Sequence, residues 1–183
     1  MDAQHVEGDL VEVLFTEDQI QARLAELAAD IERDYEGEEL LLVGVLRGAL
    51  MVMADLSRHL GRHVETDWMA VSSYGSGTKS SGVVRILKDL DTDIAGRHVL
   101  IVDEVIDSGL TLKWLVSNLA SRNPASIKIV TLLRKPAAHA MDVDVEYIGW
   151  DIGDEFVVGY GLDYAEKYRN LRDIGTLAPH VYR

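Results

Sequence analysis

The stretch that most constrains this 183-residue chain is His98 to Leu112, which reads His-Val-Leu-Ile-Val-Asp-Glu-Val-Ile-Asp-Ser-Gly-Leu-Thr-Leu. Val99 to Val102 form a short apolar run of the kind a parallel sheet buries on both faces. Three acids follow, Asp103, Glu104 and Asp107. Ser108, Gly109, Leu110 and Thr111 then open a helix whose Leu112, Leu115, Val116 and Leu119 share one face. A strand that turns through Ser-Gly into a helix aims backbone N–H groups and the positive end of the helix dipole at one point, which suits phosphate. The hydroxyls of Ser108 and Thr111 add donors. Acids beside such a cradle oppose its ligand unless a divalent cation or a polyol such as ribose lies between them. Together they point to a phosphorylated sugar with Mg²⁺. The competing reading is an ordinary strand-to-helix junction with solvated acids, where Ser-Gly merely starts the helix.

Charge narrows the partners. The chain carries 18 Lys and Arg against 31 Asp and Glu, a net charge of −13. That balance opposes non-specific nucleic-acid binding, which needs clustered cations, yet a local cradle can still take a small anion. Without cysteine there is no disulfide framework and no thiolate chemistry. Asp2, Glu7, Asp9 and Glu12 replace the basic-then-apolar layout of a signal peptide. The longest apolar run, Leu40 to Leu46, falls far short of the roughly 18 residues that cross a bilayer. A soluble, cytoplasmic protein with no membrane and no nucleic-acid partner is expected. Its length and the lack of repeats or linkers suggest a single domain, residues 1–183.

Along the chain, Thr16-Glu17-Asp18-Gln19 is a capping box before the stripe Ile20, Leu24, Leu27 and Ile31, a helix ending near Glu36-Gly37. Strands are expected at Leu40 to Leu46, Val64 to Val71, Val83 to Leu87, Ile127 to Leu133 and Val143 to Ile148, with a helix from Leu50 to Leu60. The alternation gives an α/β domain with a parallel sheet and helices on both faces. Arg47 and Gly48, directly after a buried strand, suit a second phosphate contact, since glycine permits close backbone approach; Arg47 alone reads as a surface charge. Ser72 to Gly82 has the Ser- and Gly-rich composition of a mobile hairpin loop. Lys135, just past a strand, falls on the ligand-binding edge of an open α/β sheet, or is a solvated charge. Phe156 amid valines would ordinarily be core.

The central stretch resembles the phosphoribosyl diphosphate (PRPP) signature of the type I phosphoribosyltransferases, and more narrowly their hypoxanthine-guanine branch. Leu46-Arg47-Gly48, Ser72-Ser73-Tyr74-Gly75, Arg134-Lys135, Asp154 to Tyr164 and Tyr168-Arg169 resemble further segments of that family. The resemblance implies a type I core with a small hood, a flexible lid hairpin at about 72–82, a PRPP loop at 99–111 and a base-binding hood segment at about 135–165. The hood is expected to combine the lid hairpin with the C-terminal strands. A non-proline cis peptide is implied at Leu46-Arg47. The implied activity is purine salvage: Mg²⁺-dependent transfer of ribose 5-phosphate from PRPP to N9 of hypoxanthine or guanine, giving IMP or GMP and pyrophosphate.

By the same resemblance, Arg47, Gly48 and Arg169 meet pyrophosphate. Asp103 and Glu104 hold ribose hydroxyls and Mg²⁺, and Ser108, Gly109, Leu110 and Thr111 hold the 5′-phosphate. Asp107 is the general base. Lys135 donates to the purine 6-oxo group, Phe156 stacks on the ring, Val157 offers backbone groups, and Asp163 holds Mg²⁺ or the exocyclic edge of the base. Ser72, Ser73, Tyr74 and Gly75 start the lid. The family forms dimers or tetramers, so a homo-oligomer is expected, with Trp68, Trp114 and Trp150 as candidates for interface or core. One departure stands out: the family orders its acidic pair Glu-Asp, whereas here Asp103 precedes Glu104, which bears on ribose geometry and metal affinity. The alternatives are a xanthine-preferring enzyme and a PRPP-sensing regulator on the same fold.

Overall fold

A computed structural model describes residues 1–74, 83–136 and 143–183. After a 3-10 turn at Ala3–Val6 come β1 (Leu10–Phe15), α1 (Glu17–Asp34), β2 (Leu40–Leu46), α2 (Leu50–His59), β3 (Glu65–Tyr74) and β4 (Val83–Lys88). Then follow β5 (His98–Ile106), α3 (Leu110–Ala120), β6 (Ser126–Arg134), β7 (Tyr147–Asp151), β8 (Val157–Val158), β9 (Ile174–Leu177) and α4 (Pro179–Tyr182).

Six strands form the main sheet in the order β4-β3-β2-β5-β6-β7. Only the β3–β4 pair is antiparallel. The apolar runs in β2 and β5 exist because both faces are covered. Leu40, Leu42, Leu100 and Val102 face a core closed by Ile20, Leu24 and Ile31 of α1 and Val52, Met53 and Leu56 of α2. Their neighbours Leu41, Val43, Val99 and Ile101 face a second core closed by Leu112, Leu115 and Leu119 of α3. Alternate residues thus feed two separate cores, as period-two geometry demands. Each fully buried aliphatic contributes about 1.5–3 kcal/mol. α1 starts where the sequence marks it: Thr16 accepts from the Gln19 N–H, and the Gln19 side chain answers the Thr16 N–H at 2.9 Å.

Three expectations need correction. The hood is an antiparallel sheet of order β1-β9-β8, so the N-terminal strand joins it, while the β3–β4 hairpin extends the main sheet. The strand expected at Val143 to Ile148 begins at Tyr147, where pairing with Val130 of β6 starts; Val143 and Val145 pack against the second core instead. Ser72, Ser73 and Tyr74 belong to β3, registered with Arg85, Val84 and Val83. Gly75 and the rest of the expected lid, 76–82, lie outside the described residues.

The tryptophans pack inward: Trp150 stacks on Phe15 at 4.1 Å, and Trp68 and Trp114 border the first and second cores. Among the described residues no helix is long and apolar enough to cross a membrane.

Candidate active site

β2, β5 and β6 lie side by side and run parallel, so their C-terminal ends deliver Arg47-Gly48, Asp103 to Thr111, and Lys135 to one edge. The Leu46-Arg47 peptide is cis. β5 runs on past its apolar part, with Asp103 opposite Thr131 and Val105 opposite Leu133. The acidic pair therefore sits within the strand rather than after it, because β6 continues beside it.

Asp103, Asp107, Ser108, Gly109 and Thr111 line one cavity of about 150 Å³. Gly109 caps α3 with φ 70° and offers no side chain to bond the helix start. That leaves first-turn N–H groups to a ligand, as a phosphate site requires. Leu110 is exposed beside this loop. Lys135 Nζ stands 3.5 Å from Asp107 Oδ2, with its own N–H bonded to the Ile106 carbonyl.

Glu104 reaches toward the exit of β2. A Cβ at Gly48 would overlap its carboxylate, so the glycine makes room for the longer of the two acids at this position. Glu104 Oε2 is buried without a hydrogen-bond partner among the described residues, while its N–H donates to Asp103 Oδ1 at 3.0 Å. Burial raises the Asp103 pKa; burial and then repulsion from Asp103 raise that of Glu104 well above the carboxylate range. Two adjacent carboxylates with a free buried oxygen fit a hard divalent cation, which takes oxygen donors.

Asp163 is not gathered with that pair, and no group of three acid or histidine side chains able to hold a metal occurs among the described residues. Asp163 Oδ1 pairs with Arg169 at 2.9 Å, and Oδ2 accepts from the Glu166 N–H at 2.8 Å. Arg169 also donates to the Gly161 carbonyl at 2.8 Å. Arg47 and Arg169 converge on Glu166, at 3.0 and 3.6 Å. Sequence reasoning missed Glu166: no local pattern marks an acid that meets two distant arginines.

Phe156 is 38% exposed. It stacks on Tyr182 at 5.1 Å and 22°, with Tyr164 edge-on at 5.7 Å. Tyr182 carried no signal in the sequence, since its contact is made across the hood. Val157 is buried in β8, opposite Thr176 of β9. The loop from Gly159 to Arg169 holds Tyr160, Ala165, Glu166 and Tyr168 at positive φ. Such left-handed backbone is uncommon for non-glycine residues and concentrates at ligand sites.

A family model described as a phosphoribosyl transferase domain matches residues 13–165. The chain is 57% identical over 182 residues to the hypoxanthine-guanine phosphoribosyltransferase of Mycobacterium tuberculosis, covering 96% of this chain and 90% of that one. It is 51% identical to the Bacillus subtilis protein of the same name, covering 95% and 97%. A solved hypoxanthine phosphoribosyltransferase from Staphylococcus aureus superposes with a TM-score of 0.94 at 48% identity, covering 100% of this chain and 98% of that one. These likenesses favour neither the xanthine-preferring nor the regulatory reading.

Proposed function

The chain belongs to the phosphoribosyltransferase family, and from that premise we propose how its residues carry out purine salvage. It transfers ribose 5-phosphate from PRPP to N9 of hypoxanthine or guanine, releasing pyrophosphate and giving IMP or GMP. The observation that carries this reading is the Lys135–Asp107 pair, 3.5 Å apart at the ends of neighbouring strands. A 6-oxopurine presents its O6 and N7 side by side on one edge, so an ammonium can donate to O6 while the adjacent carboxylate meets N7.

Ser108 to Thr111 and the start of α3 bind the 5′-phosphate. Asp103 and Glu104 would hold the ribose hydroxyls and Mg²⁺. When bound, Mg²⁺ neutralises charge on the pyrophosphate. N9 attacks C1′ as the C1′–O bond to pyrophosphate breaks, and the leaving oxygen keeps the bonding pair. The N7 proton passes to Asp107 as general base. Arg47 and Arg169 give up Glu166 and Asp163 for the departing anion, where charge grows in the transition state. Phe156 offers a ring face to the base and Val157 its backbone edge. The β3–β4 hairpin, with Ser72, Ser73 and Tyr74 in its first arm, acts as the lid that excludes water from the ribosyl centre. Lys135 rejects adenine, whose 6-amino group would leave two donors facing each other. The whole chain acts as one domain, as a cytoplasmic homo-oligomer.

The test is nucleotide formation from PRPP and Mg²⁺ with hypoxanthine, guanine, xanthine and adenine in turn. Turnover of hypoxanthine and guanine is expected, lost on chelation and cut roughly 10²–10⁴-fold by Asp107→Asn. Turnover of xanthine alone would move the specificity. PRPP binding without turnover of any base would favour the regulator.

A further inference from the structure

A buried connection that the reaction above does not use runs between the two halves of the site. Tyr160 is 5% exposed and holds φ 50° in the left-handed region. Its hydroxyl donates to Asp55 Oδ2 at 2.5 Å and lies 3.4 Å from the Met51 carbonyl. Met51 and Asp55 are one turn apart on α2, the helix that begins directly after the Leu46-Arg47-Gly48 loop. The same Asp55 Oδ2 also accepts from Gln21 Nε2 of α1, at 2.6 Å.

The residue after Tyr160 brings the hood against the loop. Gly161, at φ 99°, rests on Gly48, and a Cβ there would overlap the Gly48 carbonyl. Its N–H donates to the Arg169 carbonyl at 2.9 Å, and its own carbonyl accepts from Arg169 Nη1 at 2.8 Å. A continuous path of contacts therefore leads from α2 through Tyr160 and Gly161 to both Gly48 and Arg169. The second tie between hood and loop, Arg47–Glu166, is exposed, with side chains 70% and 59% accessible. Exposed pairs contribute little, and this one opens when Arg47 turns to a phosphate.

We propose that Tyr160 and Asp55 are a positioning pair, holding the Gly161–Arg169 segment against the 46–48 loop and thereby setting affinity for the pyrophosphate end of the substrate. This deepens the phosphoribosyl-transfer reading and rests on it. Burial, with the Asp55 hydrogen bond and charge, raises the Tyr160 pKa, so the phenol stays a donor at neutral pH.

The full-length protein would be assayed as wild type, Tyr160→Phe, Asp55→Ala and Asp55→Asn. The readouts are steady-state constants, binding of pyrophosphate with Mg²⁺, and thermal melting. Tyr160→Phe and Asp55→Ala should each raise the KM for PRPP and the Kd for pyrophosphate about tenfold, the scale of one charge-assisted hydrogen bond. The KM for the base and kcat should stay within about twofold. Asp55→Asn keeps an acceptor oxygen for the phenol and should return most of the affinity. Unchanged PRPP and pyrophosphate constants in Tyr160→Phe would overturn the proposal. So would a parallel loss across both substrates and melting temperature, the mark of a merely structural bond. Wild-type protein that bound neither PRPP nor pyrophosphate would instead overturn the transfer reading.

Discussion

Two carboxylate sites are set into the main sheet on either side of β2, and they are built to opposite ends. Asp67, on β3, is 5% exposed and fully engaged. It accepts from the N–H groups of Trp68 at 2.7 Å and of Asp91 and Thr92 at 2.9 Å, with Lys88 at 3.6 Å. Burial acts to raise its pKa, but those backbone donors outweigh it and the pKa is lowered. Asp103 and Glu104, on β5, are only half-buried and are not satisfied in this way: Glu104 Oε2 is buried without a hydrogen-bond partner among the described residues, and both pKa values are raised. A buried acid that the fold satisfies secures the exit of the β3–β4 hairpin. A half-buried pair with an oxygen that the fold leaves wanting is held for something that is not protein.

The sharpest way to break this contrast is to neutralise each site. Asp103→Asn with Glu104→Gln should cut turnover at least roughly 10²-fold, the scale of removing preorganised electrostatic groups, while the melting temperature at neutral pH rises. A fall in melting temperature would show that the pair stabilises the fold after all. Asp67→Ala should do the reverse. Leaving three buried N–H groups unmet costs about 2 kcal/mol, or about 4–8 °C of melting temperature for a chain of this size, with activity per folded molecule nearly unchanged.

The pH dependence separates the two by sign. A carboxyl whose folded pKa is raised destabilises as pH climbs from its unfolded value, near 4, through the folded one. Asp67, with its lowered pKa, adds stability above pH ~4 that is lost only as pH falls through its folded pKa. Melting of the wild type against the Asp103→Asn/Glu104→Gln variant should therefore show a gap that widens from pH 5 to 8 and narrows when Mg²⁺ is added. A constant gap would refute the raised pKa values. The smallest effect belongs to an exposed acid, Glu166. Glu166→Gln should change stability by less than about 1 kcal/mol and lower the KM for PRPP severalfold at most, since Arg47 no longer has to leave it. A raised KM would make Glu166 part of the binding surface.

Much of the sheet was legible because local pattern and tertiary role agree there. β2 spans the apolar run Leu40–Leu46, and the Thr16–Gln19 capping box starts α1. The hood was not. β1 is largely exposed and pairs with β9 near the other end of the chain, and β8 is two residues long, so neither leaves a periodic trace. Val143 and Val145 alternate with acids like a strand, yet they pack on α3's core before pairing begins at Tyr147. Within the site, the residues along β5 and its loop could be read from one stretch. Glu166, Tyr182 and the Tyr160–Asp55 bond depend on contacts between distant segments, which spacing alone cannot show.

The sheet also acts as a partition. Because β2 and β5 send alternate residues into two cores that share no side chains, volume changes on one face should add independently to those on the other. Each face can drift through different mixtures of Leu, Ile, Val and Met at modest cost. What cannot drift is the relative register of β2, β5 and β6, since one step would send Arg47, Asp103 and Lys135 to the wrong sides. Lineages of such a chain can therefore lose nearly all resemblance in the interior and still preserve, at one rim, the geometry on which the chemistry depends.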